Sequence, residues 1–267
     1  MLKDITLGQY FPGNTPVHRM DPRVKLVLVT LYIVALFLAK GIVTYLMMFA
    51  LLCLGVGVSR IKPKAMLRGL KPVVFILVFT TLINMFYTPG EALVKFWILT
   101  VTKEGLQNAA FMVWRILMLI SCTFLLTYTT SPIQLTDALE RLFNPLKKLH
   151  VPVHELAMMM SIALRFIPTL IEETDKIMSA QRSRGADFDS GNLFQRAKAL
   201  IPLLVPLFIS AFRRADELAT AMECRCYHGG EGRTRMKVLR CRASDVAALC
   251  TGLALCVGVG VLGHFGL

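Results

Sequence analysis

Ile42-Val43-Thr44-Tyr45-Leu46-Met47-Met48-Phe49-Ala50-Leu51-Leu52-Cys53-Leu54-Gly55-Val56-Gly57-Val58 runs without a charged side chain. As a helix it would extend roughly 25 Å, most of a bilayer's hydrocarbon thickness, with its backbone polar groups paired internally. Only Lys40-Gly41 separates it from another apolar run, Val24–Ala39, so the two predict a tight antiparallel hairpin. Pro72–Tyr87 and Leu106–Thr130 continue the pattern. A last run, Val246–Phe265, is rich in Gly, Ala, Val and Leu, which suits close helix packing. Period-two alternation is absent from these runs, which excludes a β-barrel. The expected fold class is an all-α integral membrane protein with about five transmembrane helices and a large cytoplasmic module of long amphipathic helices.

Composition agrees. Of 267 residues, 55 % are hydrophobic and the mean hydropathy is +0.59, against roughly 45–50 % apolar in soluble domains. The net charge of +13 does not point to nucleic acid, because no aromatic–basic RNA motif or zinc-finger spacing occurs. Arg60, Lys62, Lys64, Arg68 and Lys71 lie between spans two and three with no acid. Between spans three and four, Glu91 and Glu104 balance Lys95 and Lys103. The positive-inside rule therefore puts the first loop and the N-terminus in the cytoplasm, and the C-terminus outside. The organisation expected is a cytoplasmic N-terminal segment (1–23), a four-helix transmembrane region (24–130), a cytoplasmic helical module (131–245) and a C-terminal transmembrane helix (246–267). Asp21-Pro22-Arg23 reads as a helix start, with an Asp cap and Pro at the first helical position. Arg233, Arg235, Lys237, Arg240 and Arg242 precede the final span and suit anionic headgroups. The seven cysteines form no C-x-x-C pair, so reduced thiols are expected. No cleavable signal peptide is visible before the first apolar run.

Inside the 131–245 module, Val153–Ile171 contains Glu155, Arg165 and Pro168, while Ala199–Phe212 contains Pro202 and Pro206. Both read as long amphipathic helices packed on the membrane bundle or on a partner, and Met158-Met159-Met160 suits an adaptable contact. The module also repeats itself. Asp175 stands nine positions before Arg184, Ile177 seven and Ala180 four; Asp216, Leu218 and Ala221 stand likewise before Arg225. These are helical spacings, so each copy reads as an apolar-striped helix finishing on a cation. Two like-ended helices suggest two like partner sites. Asp175, Asp216 and the pair Arg213-Arg214 read either as paired with opposite charges on neighbouring turns or as a solvated face.

Enzymatic chemistry has no foothold. No Walker A sequence, H-E-x-x-H or Gly-x-Ser-x-Gly elbow occurs. His150 and His154 are split by Pro152 and read as a solvated turn, while Cys224-x-Cys226 lacks the partners of a tetrahedral metal set. An autonomous secondary transporter or permease is the alternative class, but the five spans hold no Asp or Glu, and Arg115 is the one obvious intramembrane charge, Lys25 lying at a span end.

The segment Gly8-Gln9-Tyr10-Phe11-Pro12-Gly13-Asn14-Thr15-Pro16-Val17-His18-Arg19-Met20-Asp21-Pro22-Arg23-Val24-Lys25-Leu26 resembles the opening of the T-components (EcfT/CbiQ-like) of energy-coupling-factor (ECF) type ABC transporters, as does Arg165-Phe166-Ile167-Pro168. Ser183-Arg184-Gly185 and Cys224-Arg225-Cys226, 41 positions apart (225 minus 184), resemble that family's paired X-Arg-X signatures, commonly Ala-Arg-Gly. All the flanking residues are small. Cys226 stands where the common form has glycine, so a left-handed backbone there would carry a steric cost.

The resemblance implies a non-catalytic scaffold in a bacterial plasma membrane. It would join two ABC-type ATPases to one or more substrate-binding S-components for uptake of vitamins or other micronutrients. Ser183, Arg184, Gly185, Cys224, Arg225 and Cys226 would form the ATPase-coupling tips. Asp175, Ala180, Asp216 and Ala221 would support them. The coupling helices would be about Pro132–Lys148, Val153–Arg184 and Leu193–Arg225. No cofactor is expected on this chain, ATP and Mg being bound by the ATPases.

Overall fold

The computed structural model describes residues 10–39, 41–87, 92–96, 99–188, 192–230, 239 and 241–264. Gly8, Gln9, Lys40, Glu91, Arg233, Arg235, Lys237, Arg240 and Phe265, named above, lie outside these residues. The elements are α1 (Pro16–Arg19), α2 (Pro22–Leu38), α3 (Ile42–Ser59), α4 (Pro63–Tyr87), β1 (Ala92–Phe96), β2 (Leu99–Thr102), α5 (Lys103–Thr129), α6 (Pro132–Leu142), a 3-10 turn at Asn144–Leu149, α7 (Val153–Ser183), α8 (Leu193–Glu223) and α9 (Ala243–His264). The chain is an all-α membrane protein whose two short strands form one antiparallel hairpin between α4 and α5.

Helix starts follow local chemistry. Asp21 caps α2 by accepting from the Arg23 backbone N–H at 2.9 Å, with Pro22 at the first helical position, as the sequence reading expected. Asp245, almost fully buried, reaches back to the Arg242 N–H at 3.0 Å and also accepts from the Asp21 N–H at 3.4 Å. The starts of α2 and α9 therefore lie side by side. The Lys25 ammonium donates to the Thr129 carbonyl at 2.9 Å and to the Thr130 hydroxyl at 3.2 Å, so α5 ends where α2 begins.

Two compact units emerge: Leu139–Val238, and Gly8–Ala138 with Leu239–Leu267. In the second, the core gathers Tyr32, Ala35 and Leu36 of α2, Tyr45, Met48 and Leu52 of α3, Met118 and Cys122 of α5, and Val259 of α9. Glycine permits the closest approaches. A Cβ on Gly252 would fall 2.4 Å from Leu28, and one on Gly69 would fall 2.7 Å from the Phe124 ring. Large apolar side chains point outward instead, Phe75 at 79 % and Phe79 at 59 % exposure, as a lipid-facing surface requires.

Among the described residues five helices are long and apolar enough to cross a membrane: α3, Pro63–Met85 of α4, Gly105–Thr129 of α5, α7 and Ala243–Gly263 of α9. The sequence reading differs at two of its runs. The run beginning at Val24 becomes α2 with 17 residues and is not among these five, whereas α7, one unbroken helix, is. Two further expectations are corrected. Lys64, Arg68 and Lys71 are not loop residues: α4 begins at Pro63 and absorbs Pro72, so they form an exposed stripe on its first turns. The helix expected over Pro132–Lys148 stops at Leu142, because Pro145 lacks an N–H and disfavours helix at Asn144, leaving the 3-10 turn.

The N-terminal strap is locked by His18. Its Nε2 lies 3.1 Å from the Phe11 carbonyl oxygen, an acceptor only, so Nε2 carries the proton and Nδ1 accepts from the Thr15 hydroxyl at 2.6 Å. Burial, and then the charge of Lys25, press the His18 pKa down, outweighing the Phe11 bond. A depressed histidine contributes stability that is complete above the unfolded value of about 6.5 and is lost as pH falls below it. The thermal midpoint of the detergent-solubilised chain should therefore fall on acidification from pH 7 to 5, with a shallower slope in His18→Gln. An equal slope in the variant would remove His18 from this linkage.

Candidate functional site

Helices α7 and α8 each run for 31 residues, with Pro168 inside the first and Pro202 and Pro206 inside the second. A polar contact joins them. Glu173 of α7 accepts from the Arg214 guanidinium at 2.6 Å and from the Ser210 hydroxyl, both on α8. Arg214 is thus paired across the two helices and not part of a solvated face. Glu173 and Ser210 escaped sequence reading because neither belongs to the repeat and the contact spans two helices.

The repeat itself is reproduced bond for bond at the helix ends. The Gly185 N–H donates to the Arg182 carbonyl at 3.0 Å and the Ala186 N–H to the Gln181 carbonyl at 3.0 Å. At the other end, the Cys226 N–H donates to Glu223 at 2.8 Å and the Tyr227 N–H to Met222 at 3.1 Å. Each is a Schellman cap, in which a left-handed residue turns the chain back to satisfy two carbonyls that a helix leaves free. Gly185 has φ +88° and Cys226 has φ +54°. The left-handed turn therefore persists at 226 although cysteine replaces the usual glycine.

One turn upstream the duplication continues. Ser179 donates to the Asp175 carbonyl at 2.8 Å and Thr220 to the Asp216 carbonyl at 2.9 Å. Asp175 and Asp216 thus enter through their backbone oxygens, a pairing their side-chain identity did not signal. Ala180 and Ala221 lie exposed beside them. Ser183, Arg184, Gly185, Cys224, Arg225 and Cys226 are all exposed, and nothing stands within 4 Å of a Cβ built on Gly185. Among the described residues neither the Arg184 nor the Arg225 side chain has a hydrogen-bond or ion-pair partner. Each guanidinium sits at the negative end of its helix with small neighbours, open to an acidic surface. On α8, Ile201, Val205, Phe208 and Phe212 line an exposed apolar stripe at helical spacing.

His154 is also relocated: it lies in the first turn of α7 with Nδ1 2.8 Å from Glu140 of α6, while His150 caps the preceding turn at positive φ. Neither belongs to the arginine tips.

A family model described as CbiQ, cobalt transport protein, matches residues 13–236, which takes in both arginine tips. The chain belongs to the CbiQ/EcfT family. A Ruminiclostridium cellulolyticum relative called energy-coupling factor transporter transmembrane protein EcfT is 55 % identical over 255 residues, covering 96 % of this chain and 95 % of the relative. The proteins so named from Thermosediminibacter oceani and Bacillus subtilis are 55 % identical over 258 residues and 48 % over 257, each covering 96 % of this chain and 97 % of the relative.

The caps make opposite demands on side chains. Gly185→Ala should destabilise the α7 end by about 1 kcal/mol, whereas Cys226→Gly should stabilise the α8 end by a similar amount. Amide hydrogen exchange at residues 181–186 and 222–227 reads both; equal protection in the two variants would mean that the left-handed caps do not set these ends.

Proposed function

We propose that this chain is the T-component of an ECF transporter, a non-catalytic scaffold that transmits the motion of two ATPases to a membrane-embedded S-component. The observation that carries this reading is the pair of identical capped helix ends, each presenting an unpartnered arginine. One subunit with two like tips fits two like ATPase subunits. Each guanidinium enters an acidic groove and makes a charge-assisted, bidentate contact, and the small flanking residues allow close approach. ATP binding brings the two ATPases together and carries the helices with them. The exposed apolar stripe of α8 then bears on the S-component, which selects the vitamin or other micronutrient.

ATP and Mg belong to the ATPases, and this chain holds no cofactor. Arg60 and Lys62, followed by the basic stripe of α4, support a cytoplasmic N-terminus in a bacterial plasma membrane under the positive-inside rule.

Arg184→Ala and Arg225→Ala should each weaken ATPase attachment by about 2–5 kcal/mol, the loss typical of truncating one partner of a desolvated charge pair. Co-purification of ATPases with the tagged chain, and uptake by the reconstituted complex, measure this. Wild-type transport by the double variant would remove the mechanism. The purified chain alone should hydrolyse no ATP in a coupled-enzyme assay, and Mg-dependent turnover by it would contradict the scaffold role.

A further inference from the structure

A second feature lies in the unit formed by Gly8–Ala138 and Leu239–Leu267. The N-terminal strap and the junction of α3 with α4 enclose a cleft of about 310 Å³, lined by Phe11, Thr15, His18, Ser59, Arg60 and Lys62 among others. No Asp or Glu lines it. Arg60 and Lys62 are exposed, and among the described residues neither has an ion-pair or hydrogen-bond partner for its side chain. We propose that this cleft binds a phosphate anion, either the headgroup of an anionic membrane phospholipid or a free phosphate.

The walls are held in place. The Phe11 N–H donates to the Tyr128 carbonyl at 3.0 Å, the Phe11 ring meets Tyr128 edge-on at 5.3 Å, and His18 donates to the Phe11 carbonyl. On the facing side, Arg60 terminates α3 in the left-handed conformation, φ +53°, and its N–H bonds to Gly57. A guanidinium and an ammonium lining one cleft supply the charge-assisted donors that phosphate oxygens accept.

Position favours the lipid. The cleft begins where the membrane-length helix α3 ends. Beyond it the exposed Lys64, Arg68 and Lys71 continue the positive charge. Leu67, Val74 and Phe75, at 67 %, 48 % and 79 % exposure, leave an apolar track along α4 for acyl chains.

The full-length chain in mild detergent, titrated with dioctanoyl-phosphatidylglycerol and observed by native mass spectrometry, tests the site. One lipid should be retained per chain, with dioctanoyl-phosphatidylcholine bound more weakly. Arg60→Gln and Lys62→Gln should each lower retention about fivefold. The triple variant Lys64→Gln, Arg68→Gln, Lys71→Gln should leave it within about twofold, since those bases lie outside the cleft. Inorganic phosphate that displaces the lipid at equal concentration would support the phosphate site and assign a soluble source. Undiminished retention by the Arg60→Gln/Lys62→Gln double variant would overturn the proposal, as would an equal loss in the triple variant. Unchanged thermal midpoints show that the variants remain folded.

Discussion

The Lys25 ammonium ties together chain ends that no local interaction could align. It donates to the Thr129 carbonyl and the Thr130 hydroxyl at the end of α5, and lies 3.5 Å from the His18 carbonyl ahead of α2. An ammonium in an apolar interior is costly unless its donors are matched, and three oxygens match it here. Next to it, Asp245 joins the start of α9 to the start of α2 through the Asp21 N–H. With both contacts made, α5 ends at the face from which α2 and α9 set out. The segment between α5 and α9 therefore begins and ends on one face of the bundle.

That arrangement separates two kinds of surface. The bundle presents apolar side chains outward because its solvent is lipid, and packs inward through glycines that let helices touch. The other unit spends its sequence on two matched helices whose ends are finished by hydrogen bonds while their charges are left unspent. Arg184 and Arg225 are not needed to close the caps, since backbone N–H groups already do so. Their guanidinium groups remain available to another protein.

Sequence made much of this legible where periodicity or capping chemistry acts locally. The apolar runs, the Asp21-Pro22 start and the 41-position repeat of Asp, apolar residue, Ala and Arg all reappear as helices and caps. The arginine tips were visible for the same reason: they end a regular stripe. Contacts between distant segments were not legible. Glu173 finds Ser210 and Arg214 only once α7 and α8 are packed, and Lys25 meets Thr129 only once the end of α5 is brought beside α2. Boundaries failed where prolines acted in opposite ways, Pro72 being absorbed into α4 while Pro145 ended α6. A proline costs a helix one bond and a clash, and packing elsewhere decides whether the helix survives it.

The placing of prolines along α7 and α8 has a mechanical consequence. A proline removes one rung of the hydrogen-bonded ladder, so bending concentrates there and the uninterrupted remainder behaves as a rod. From Pro168 to Arg184 the rod is about 24 Å long, and from Pro206 to Arg225 about 28 Å. Glu173 grips Ser210 and Arg214 on the stiff side of both joints. A load on either tip is thus borne by two braced levers, and the compliance needed to accommodate it lies behind the brace, toward the proline-bearing halves.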